Sequence, residues 1–233
     1  MPAIYLFPVP LADGNPADVL PERNLRLLGE IRYFVVENIR SARRFLRSVS
    51  ADIVIDDLHF CELSEHTKPE EIAPMLDPIE EGHSIGVLSE AGCPAVADPG
   101  SDLVAIAQRR GYTVVPLVGP SSILLALMAS GFNGQRFTFH GYLPVDSGAK
   151  TAALRDIERD IRRNHCTHIF IETPYRNNKL TEFIIKTLPA DMKMCIASDI
   201  SGPRESIVTL TLAQWRARAF DYSKIPAIFL LYF

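Results

Sequence analysis

Two acidic side chains, Glu90 and Asp98, lie in the stretch SEAGCPAVADPG, which is rich in Gly and Pro. An apolar run, IGVL, precedes this stretch and a helical pattern, SDLVAIAQRR, follows it. The stretch is therefore predicted to be a loop between a strand's carboxyl end and a helix, where ligands of open α/β sheets bind. Gly92 would let a ligand approach the backbone, and the carboxylates could hold ribose hydroxyls or an ammonium group. Asp98 could equally cap the following turn, so the spacing leaves both roles open.

A second loop of the same kind follows the next predicted strand, in the stretch VGPSSILLALMASG. Ser121 and Ser122 could cap the apolar helix or offer hydroxyls to a ligand at its positive end. The sequence contains no G-x-G-x-x-G after the first strand, no G-K-[ST] and no G-x-S-x-G. These absences argue against dinucleotide, P-loop and serine-hydrolase sites.

The elements that must position these loops alternate between strand and helix patterns. Strands are predicted near residues 3–7, 31–36, 84–88, 113–117, 137–141, 167–172, 192–198, 205–211 and 227–233, with helices between most of them. Such alternation predicts an α/β fold with largely parallel sheets and helices on their faces. A polar, turn-rich segment follows residue 141, so we predict two α/β domains, residues 1–141 and 142–233.

Composition excludes several classes of protein. The chain has 233 residues, of which 47% are hydrophobic and 22% charged, as expected of a globular protein. No apolar run reaches the roughly 18 residues that a membrane span needs, and the N-terminus lacks the pattern of a signal peptide, which predicts a cytoplasmic protein. The four cysteines are far apart and the six histidines show no H-E-x-x-H spacing, so no metal site is predicted.

The formal net charge of -4 is unevenly distributed. Residues 1–116 carry 10 Lys and Arg against 18 Asp and Glu, whereas residues 117–233 carry 14 against 10. Two arginine stripes lie at helical spacing, Arg40, Arg43, Arg44 and Arg47 in one and Arg155, Arg159, Arg162 and Arg163 in the other. Both could bind phosphates or be solvated helix faces. Tyr175 and Arg176 follow a predicted strand and could clamp a nucleotide, although Arg176 could instead pair with Glu172.

The block VLSEAGCPAVADPGSDLVAIAQRRGYTVVPLVGPSSILLALMASGFNGQRFTFHGYLP resembles the central region of the tetrapyrrole methylase superfamily, and FIETPYRNNKL resembles a later signature of the same branch. The branch contains the bacterial 2′-O-ribose methyltransferases of small-subunit (16S) ribosomal RNA. The resemblance implies an S-adenosylmethionine-dependent methyltransferase of two α/β domains, with the cofactor in the cleft between them and a homodimer as the usual assembly. The cofactor-binding residues that it implies are Leu88, Ser89, Glu90, Ala91, Gly92, Pro94, Asp98, Ser121, Ser122, Tyr142, Leu143, Ile171, Glu172, Thr173, Ile200, Pro226 and Ala227.

Ribosomal RNA is the partner that the resemblance implies, with substrate contacts at Arg40, Arg43, Tyr175 and Arg176. If the acceptor is a hydroxyl, a nearby carboxylate would assist removal of its proton. The candidates for this role are Glu37, Asp98 and Glu205, with Glu90 and Glu172 as further possibilities. The first loop, PVPLADGNPADVLP, departs from the TPIGNL-like loop of the RNA enzymes, so two alternatives stay open. They are a small-molecule, tetrapyrrole-like methylase and a cofactor-binding protein without catalytic activity.

Overall fold

A computed structural model describes all residues, 1–233, and they form two compact units, Met1–Ser121 and Ser122–Phe233. The sequence prediction placed the division after Gly141, whereas the structure divides the chain after Ser121. Helix α6 (Ser122–Ser130) and strand β6 (Phe137–Tyr142) account for the difference. β6 pairs with a strand of the second unit, and α6 packs on the sheet of that unit, so both elements belong to it.

The first unit is a parallel five-stranded sheet with helices on both faces. Its strands are β1 (Ile4–Phe7), β2 (Tyr33–Val36), β3 (His59–Glu62), β4 (Ile85–Leu88) and β5 (Val114–Pro116), in the order β3-β2-β4-β1-β5. Its helices are α1 (Glu22–Glu30), α2 (Ile39–Val49), α3 (Pro69–Ile72), α4 (Asp77–Glu80) and α5 (Gly100–Arg109). All strand pairs are parallel, which confirms the predicted type of sheet.

The core of the first unit explains why β4 is apolar throughout. Every residue of β4 is buried, because clusters of apolar side chains cover both faces of the sheet. Phe34 lies in the cluster on one face and Val35, its neighbour on β2, in the cluster on the other. Gly86 is required in β4, since a Cβ there would lie 2.7 Å from the ring of Phe34. The central strands thus hold the loops that follow them in fixed positions.

The second unit is built on a mixed five-stranded sheet. After α6 and β6 come α7 (Ser147–Asn164), β7 (Thr167–Ile171), α8 (Asn177–Thr187), β8 (Lys193–Ser198), β9 (Ser206–Thr211), α9 (Leu212–Ala217) and β10 (Ala227–Tyr232). The strand order is β6-β7-β10-β8-β9.

Only β6 and β7 are parallel in this sheet, so the prediction of a largely parallel sheet is wrong for the second unit. The last strand, β10, inserts between β7 and β8 and runs antiparallel to both. The alternation of apolar patterns is the same for either direction, so the sequence could not show this. The core centres on Trp215, which is fully buried and donates its Nε1–H to the backbone oxygen of Met194 at 2.9 Å.

Several local predictions need correction. Strand β3 was missed because its residues, HFCE, are mostly exposed and show no apolar period. Helix α5 runs from Gly100 to Arg109, so it begins and ends one residue earlier than the predicted pattern SDLVAIAQRR. All four cysteines are free, and Cys61 is exposed. No helix is long and apolar enough to cross a membrane.

Candidate functional site

Three loops, those after β1, β4 and β5, lie close together at the carboxyl ends of the strands in the first sheet. Val9, after β1, and Gly92, after β4, exchange two backbone hydrogen bonds of 2.9 Å. The loop after β5 is equally close to the loop after β1, since a Cβ on Gly119 would lie 2.4 Å from Cβ of Pro8. Asn24 fixes the same loop by donating a hydrogen bond from Nδ2 to the backbone oxygen of Val118 at 2.8 Å. Parallel strands bring these loops to one end of the sheet.

Carboxylates predicted as candidates meet at this end. Glu37 follows β2 and Glu90 follows the neighbouring β4, and the backbone N–H of Glu90 donates to Oε2 of Glu37 at 3.2 Å. Burial raises the pKa of Glu37, the hydrogen bond from Glu90 lowers it, and the negative charges of Asp98, Glu90 and Glu65 raise it further. Glu65, which follows the missed strand β3, was not predicted. The end of the sheet is therefore an acidic surface.

Asp98 has a structural role in the loop between β4 and α5. Its Oδ1 accepts hydrogen bonds from the backbone N–H of Ala95 at 3.1 Å and of Gly100 at 2.7 Å. Ala95 and Ala97 have φ values of 64° and 55°, a conformation that costs free energy for a residue other than glycine. Asp98 thus caps the turn through Oδ1, and its Oδ2 takes part in neither of these hydrogen bonds and could accept one from a ligand. Strained backbone of this kind is concentrated at ligand sites.

Replacement of Glu37 by glutamine is expected to stabilise the first unit at neutral pH. The pKa of Glu37 is higher in the folded state than in the unfolded state, so the ionised carboxylate destabilises the fold at pH values above the folded-state pKa. Below the unfolded-state pKa the carboxyl is protonated in both states, and this destabilisation disappears. Glutamine keeps an oxygen that can accept from Glu90. Denaturant unfolding should show a higher free energy of unfolding for the variant at about pH 7 and convergence with wild type below about pH 4.

Glu62→Gln is the control for the Glu37 variant, because it removes the same charge from an exposed position on β3. A lower stability of Glu37→Gln than of Glu62→Gln at neutral pH would contradict the expectation.

Most of the predicted residues of the second unit also lie at one end of its sheet. Strands β6, β7 and β8 end there and β10 begins there, because β10 runs antiparallel to β7 and β8. Tyr142 pairs with Ile171, Ile228 pairs with Ile171, and Ala227 pairs with Ser198. Leu143, Glu172, Thr173, Ile200 and Pro226 are adjacent to these positions in the chain. We call this the Ala227 end of the second sheet.

Glu172 and Arg176 form an ion pair beside β7. Nη2 of Arg176 lies 2.7 Å from Oε1 of Glu172, whose side chain is only 7% exposed, and Nε donates to the same oxygen at 2.9 Å. Arg176 thus makes the intramolecular contact that the sequence analysis left open, and much of its hydrogen-bonding capacity is used. Tyr175, by contrast, is 78% exposed and its ring is available to stack on a base.

Glu205 also has a structural contact. Its Oε2 accepts a hydrogen bond from the backbone N–H of Ser201 at 2.7 Å, within the turn between β8 and β9. Asp199 stabilises the same turn by accepting from the backbone N–H of Arg204 at 2.8 Å. These contacts position the segment that contains Ile200.

Asn177 is a positioning residue that was not predicted from the sequence. It is fully buried, and its Nδ2 donates to the backbone oxygens of Ile225 at 2.7 Å and Tyr222 at 3.3 Å. These bonds fix the segment that leads to Pro226 and β10. The sequence offered one signal, an asparagine directly after the ETPYR stretch at the end of β7.

The two arginine stripes differ in the structure. On α2, Arg40, Arg43, Arg44 and Arg47 are all exposed and none forms an ion pair with a carboxylate; we call them the α2 arginine face. Arg43 lies over the ring of Phe60, at 5.4 Å from its centroid. The opposite face of α2 packs on the core through Ala42 and Leu46.

On α7 the arginines are mostly paired. Arg155 and Arg162 contact Glu158 at 3.0 and 3.1 Å, and Arg159 pairs with Asp156. Neighbouring carboxylates compensate these charges, whereas the charges of the α2 arginine face are uncompensated. Helix α2 begins at Ile39, two residues after Glu37, so this face starts beside the acidic loops of the first sheet.

Solved structures share this fold. A structure described as the methyltransferase CobJ aligns with a TM-score of 0.66 at 16% identity, covering 100% of this chain and 94% of the other. A uroporphyrin-III C-methyltransferase from Thermus thermophilus, solved with S-adenosyl homocysteine, aligns with a TM-score of 0.55 at 20% identity, covering 99% and 97%. The chain therefore shares its fold with these two structures.

Residues 9–215 match the sequence profile of the tetrapyrrole (corrin/porphyrin) methylases, and the chain belongs to this family. It is accordingly a methyltransferase that uses S-adenosylmethionine. A relative from Vibrio cholerae serotype O1, named ribosomal RNA small subunit methyltransferase I, is 30% identical over 213 residues, which are 91% of this chain and 70% of the relative. A relative of the same name from Mesorhizobium japonicum is 32% identical over 222 residues, or 95% and 70% of the two chains.

The residues at the end of the first sheet fit such a cofactor. Gly92 has a φ of 75° and presents no side chain, and a Cβ there would fill space next to Leu11, 3.3 Å from its Cδ2. Oε2 of Glu90 accepts from the hydroxyl of Ser41 at 3.1 Å, and this exposed carboxylate has capacity for further donors. Carboxylates are suited to the ammonium, hydroxyl and sulfonium groups of S-adenosylmethionine.

Proposed function

We propose that the chain transfers a methyl group from S-adenosylmethionine to a ribose 2′-hydroxyl of small-subunit ribosomal RNA. The α2 arginine face carries this proposal, because four exposed guanidinium groups without carboxylate partners suit a phosphate backbone. The name of the relatives supports the choice of ribosomal RNA. The chain as a whole is acidic, so RNA binding requires such a local basic surface.

Cofactor binding is part of the proposal. The residues around Gly92 and Glu90 would hold S-adenosylmethionine in the first unit, together with Leu88, Ser89, Ala91, Pro94 and Ser121. The predicted residues at the Ala227 end of the second sheet, and Ser122, are proposed on the basis of the same family membership. Their close spacing within that sheet is consistent with a shared role.

The chemistry requires positioning and one proton acceptor. S-adenosylmethionine, held by the residues around Gly92 and Glu90, would supply its sulfonium methyl group to the acceptor oxygen, with S-adenosylhomocysteine as the leaving group. Glu37 is the best-placed acceptor for the proton of the ribose hydroxyl, since it lies at the carboxyl end of the sheet with a raised pKa. Asp98 and Glu205 are less suited because each already holds a turn together.

A homodimer and a cytoplasmic location belong to the same proposal, as does substrate contact by Tyr175. Exposed apolar side chains on α6, including Met128 at 78% exposure, support an association between copies.

The test is methyl transfer from labelled S-adenosylmethionine to small ribosomal subunits and to protein-free small-subunit RNA, with uroporphyrinogen as a separate acceptor. We expect label in RNA, at a ribose that resists alkaline cleavage on its 3′ side. A folded Glu37→Gln variant should retain cofactor binding and lose most of the transfer. Label in the tetrapyrrole and none in either RNA form would overturn the choice of acceptor, and cofactor binding without transfer to any of the three would overturn the proposed activity.

A further inference from the structure

A cluster of metal-ligating side chains lies in the second unit, away from the Ala227 end of its sheet. Asp160 comes from the last turns of α7, Cys166 from the turn before β7, and His168 from the first residues of β7. Ligand atoms of these three residues all lie within 4.8 Å of one another. His168 pairs in the sheet with Leu231, which lies near the end of β10 that is opposite Ala227. The cluster is therefore separate from the candidate cofactor residues of this unit.

The cluster is largely shielded from solvent. The side chain of His168 is 5% exposed and Cys166 is buried, whereas the side chain of Asp160 is 37% exposed. Nε2 of His168 lies 2.8 Å from Oδ2 of Asp160, and Nδ2 of Asn164 donates to Oδ1 of Asp160 at 2.7 Å. Asp160 is thus the solvent-accessible member of the cluster, and an ion could enter beside its carboxylate.

A second histidine orients the first. Nε2 of His140, on β6, lies 2.7 Å from Nδ1 of His168, and the two rings are stacked at 5.0 Å between centroids. A hydrogen bond from Nδ1–H of His168 to Nε2 of His140 would make Nε2 the ligating nitrogen of His168, once the proton between Nε2 and Oδ2 of Asp160 is released. Histidines that bind metals are commonly fixed through their second nitrogen in this manner.

We propose that Asp160, Cys166 and His168 bind a zinc ion, with His140 as the outer residue that fixes the tautomer of His168. The donor set of one carboxylate oxygen, one thiolate sulfur and one imidazole nitrogen suits zinc, and a water molecule would complete four-fold coordination. Bonds of about 2.0–2.3 Å around a tetrahedral ion place ligand atoms about 3.3–3.8 Å apart, so a modest side-chain adjustment is needed.

Proton release accompanies binding. The thiol of Cys166 loses its proton to solvent when the Zn–S bond forms. The proton between Nε2 of His168 and Oδ2 of Asp160 is also released to solvent when the Zn–N bond forms, and Nδ1 keeps the proton that it donates to His140.

The spacing of the cysteines and histidines did not indicate this site and predicted no metal. The ligands lie in the pattern D-x5-C-x-H, which matches none of the common zinc spacings, and His140 comes from another strand.

The experiment is titration of the purified chain, first stripped with a chelator, with Zn²⁺ and separately with Co²⁺. We expect one equivalent of Co²⁺ to bind, with the near-ultraviolet absorption of a cobalt–thiolate bond, and Zn²⁺ to displace it. Cys166→Ser should abolish that absorption. Asp160→Asn, at a more exposed position, should weaken Zn²⁺ binding by at least about tenfold while keeping the fold by circular dichroism.

Cys61→Ser is the matched control, since Cys61 is the exposed thiol of the other unit and its loss should change nothing. A wild-type chain that shows no cobalt–thiolate absorption, or one whose absorption persists in Cys166→Ser, would overturn the proposal. In that case the cluster is a hydrogen-bonded group that only stabilises the packing of α7 on β7. Neither outcome depends on methyl transfer, so this test is independent of the proposed function.

Discussion

Gly92→Trp is expected to raise the dissociation constant for S-adenosylmethionine by more than about 100-fold, which corresponds to about 2.8 kcal/mol. Gly92 exchanges two backbone hydrogen bonds with Val9, and its missing side chain leaves open the space beside Leu11. An indole would fill that space between the loops after β1 and β4. Calorimetric titration with S-adenosylmethionine, and separately with S-adenosylhomocysteine, measures the effect.

Gly82→Trp is the matched control for this loss. Gly82 has a φ of 91°, so both substitutions impose a similar backbone strain in the same unit. Gly82 lies before β4, at the opposite end of the strand, and a Cβ there would meet nothing within 4 Å. The control should fold and bind normally. Wild-type affinity in a folded Gly92→Trp protein would show that the cofactor does not bind at this end of the first sheet.

Replacement of the whole α2 arginine face by glutamine is expected to lower RNA affinity on the order of 100-fold at low salt, with little change in cofactor affinity. The logarithm of the association constant falls linearly with the logarithm of the salt concentration, and each arginine–phosphate ion pair makes this slope steeper by about 0.7 for single-stranded RNA. Removal of four pairs should therefore make the slope shallower by about 2.8. The arginines are exposed and unpaired, so their replacement leaves no buried carboxylate without a partner. Filter binding of small-subunit RNA across a salt series measures both quantities.

A second variant tests whether this effect depends on position. Replacement of Arg155, Arg159, Arg162 and Arg163 by glutamine removes the same charge from α7, where three of these side chains already contact carboxylates. We expect that variant to retain most of the affinity and the salt slope. Equal losses in the two variants would mean that net charge, and not the α2 arginine face, governs RNA binding.

The sequence predicted local structure well because the relevant interactions are local. The strand predicted near residues 31–36 contains β2, and the run IGVL predicted the buried strand β4. Strand β3 was missed because a short, exposed edge strand has neither an apolar run nor a clear alternation. The parallel first sheet also followed from the alternation of strands with helices.

Strand direction in the second sheet depended on pairing between distant segments. β10 lies between β7 and β8, although β9 and α9 separate it from β8 in the chain. An apolar strand can pair in either direction, so the choice depends on how α7, α8 and α9 pack around Trp215. Local sequence carries little information on such packing.

The sequence by itself determined which residues could do chemistry, namely the loops after β4 and β5, the arginine spacing on α2 and the family resemblance. Tertiary structure alone decided which of these residues have partners. It brought Glu65 toward Glu37, paired Arg176 with Glu172, and placed Asp160, Cys166 and His168 together. The physical reason is that residue type and spacing are local properties, whereas charge compensation and desolvation depend on neighbours that only the folded chain brings into contact.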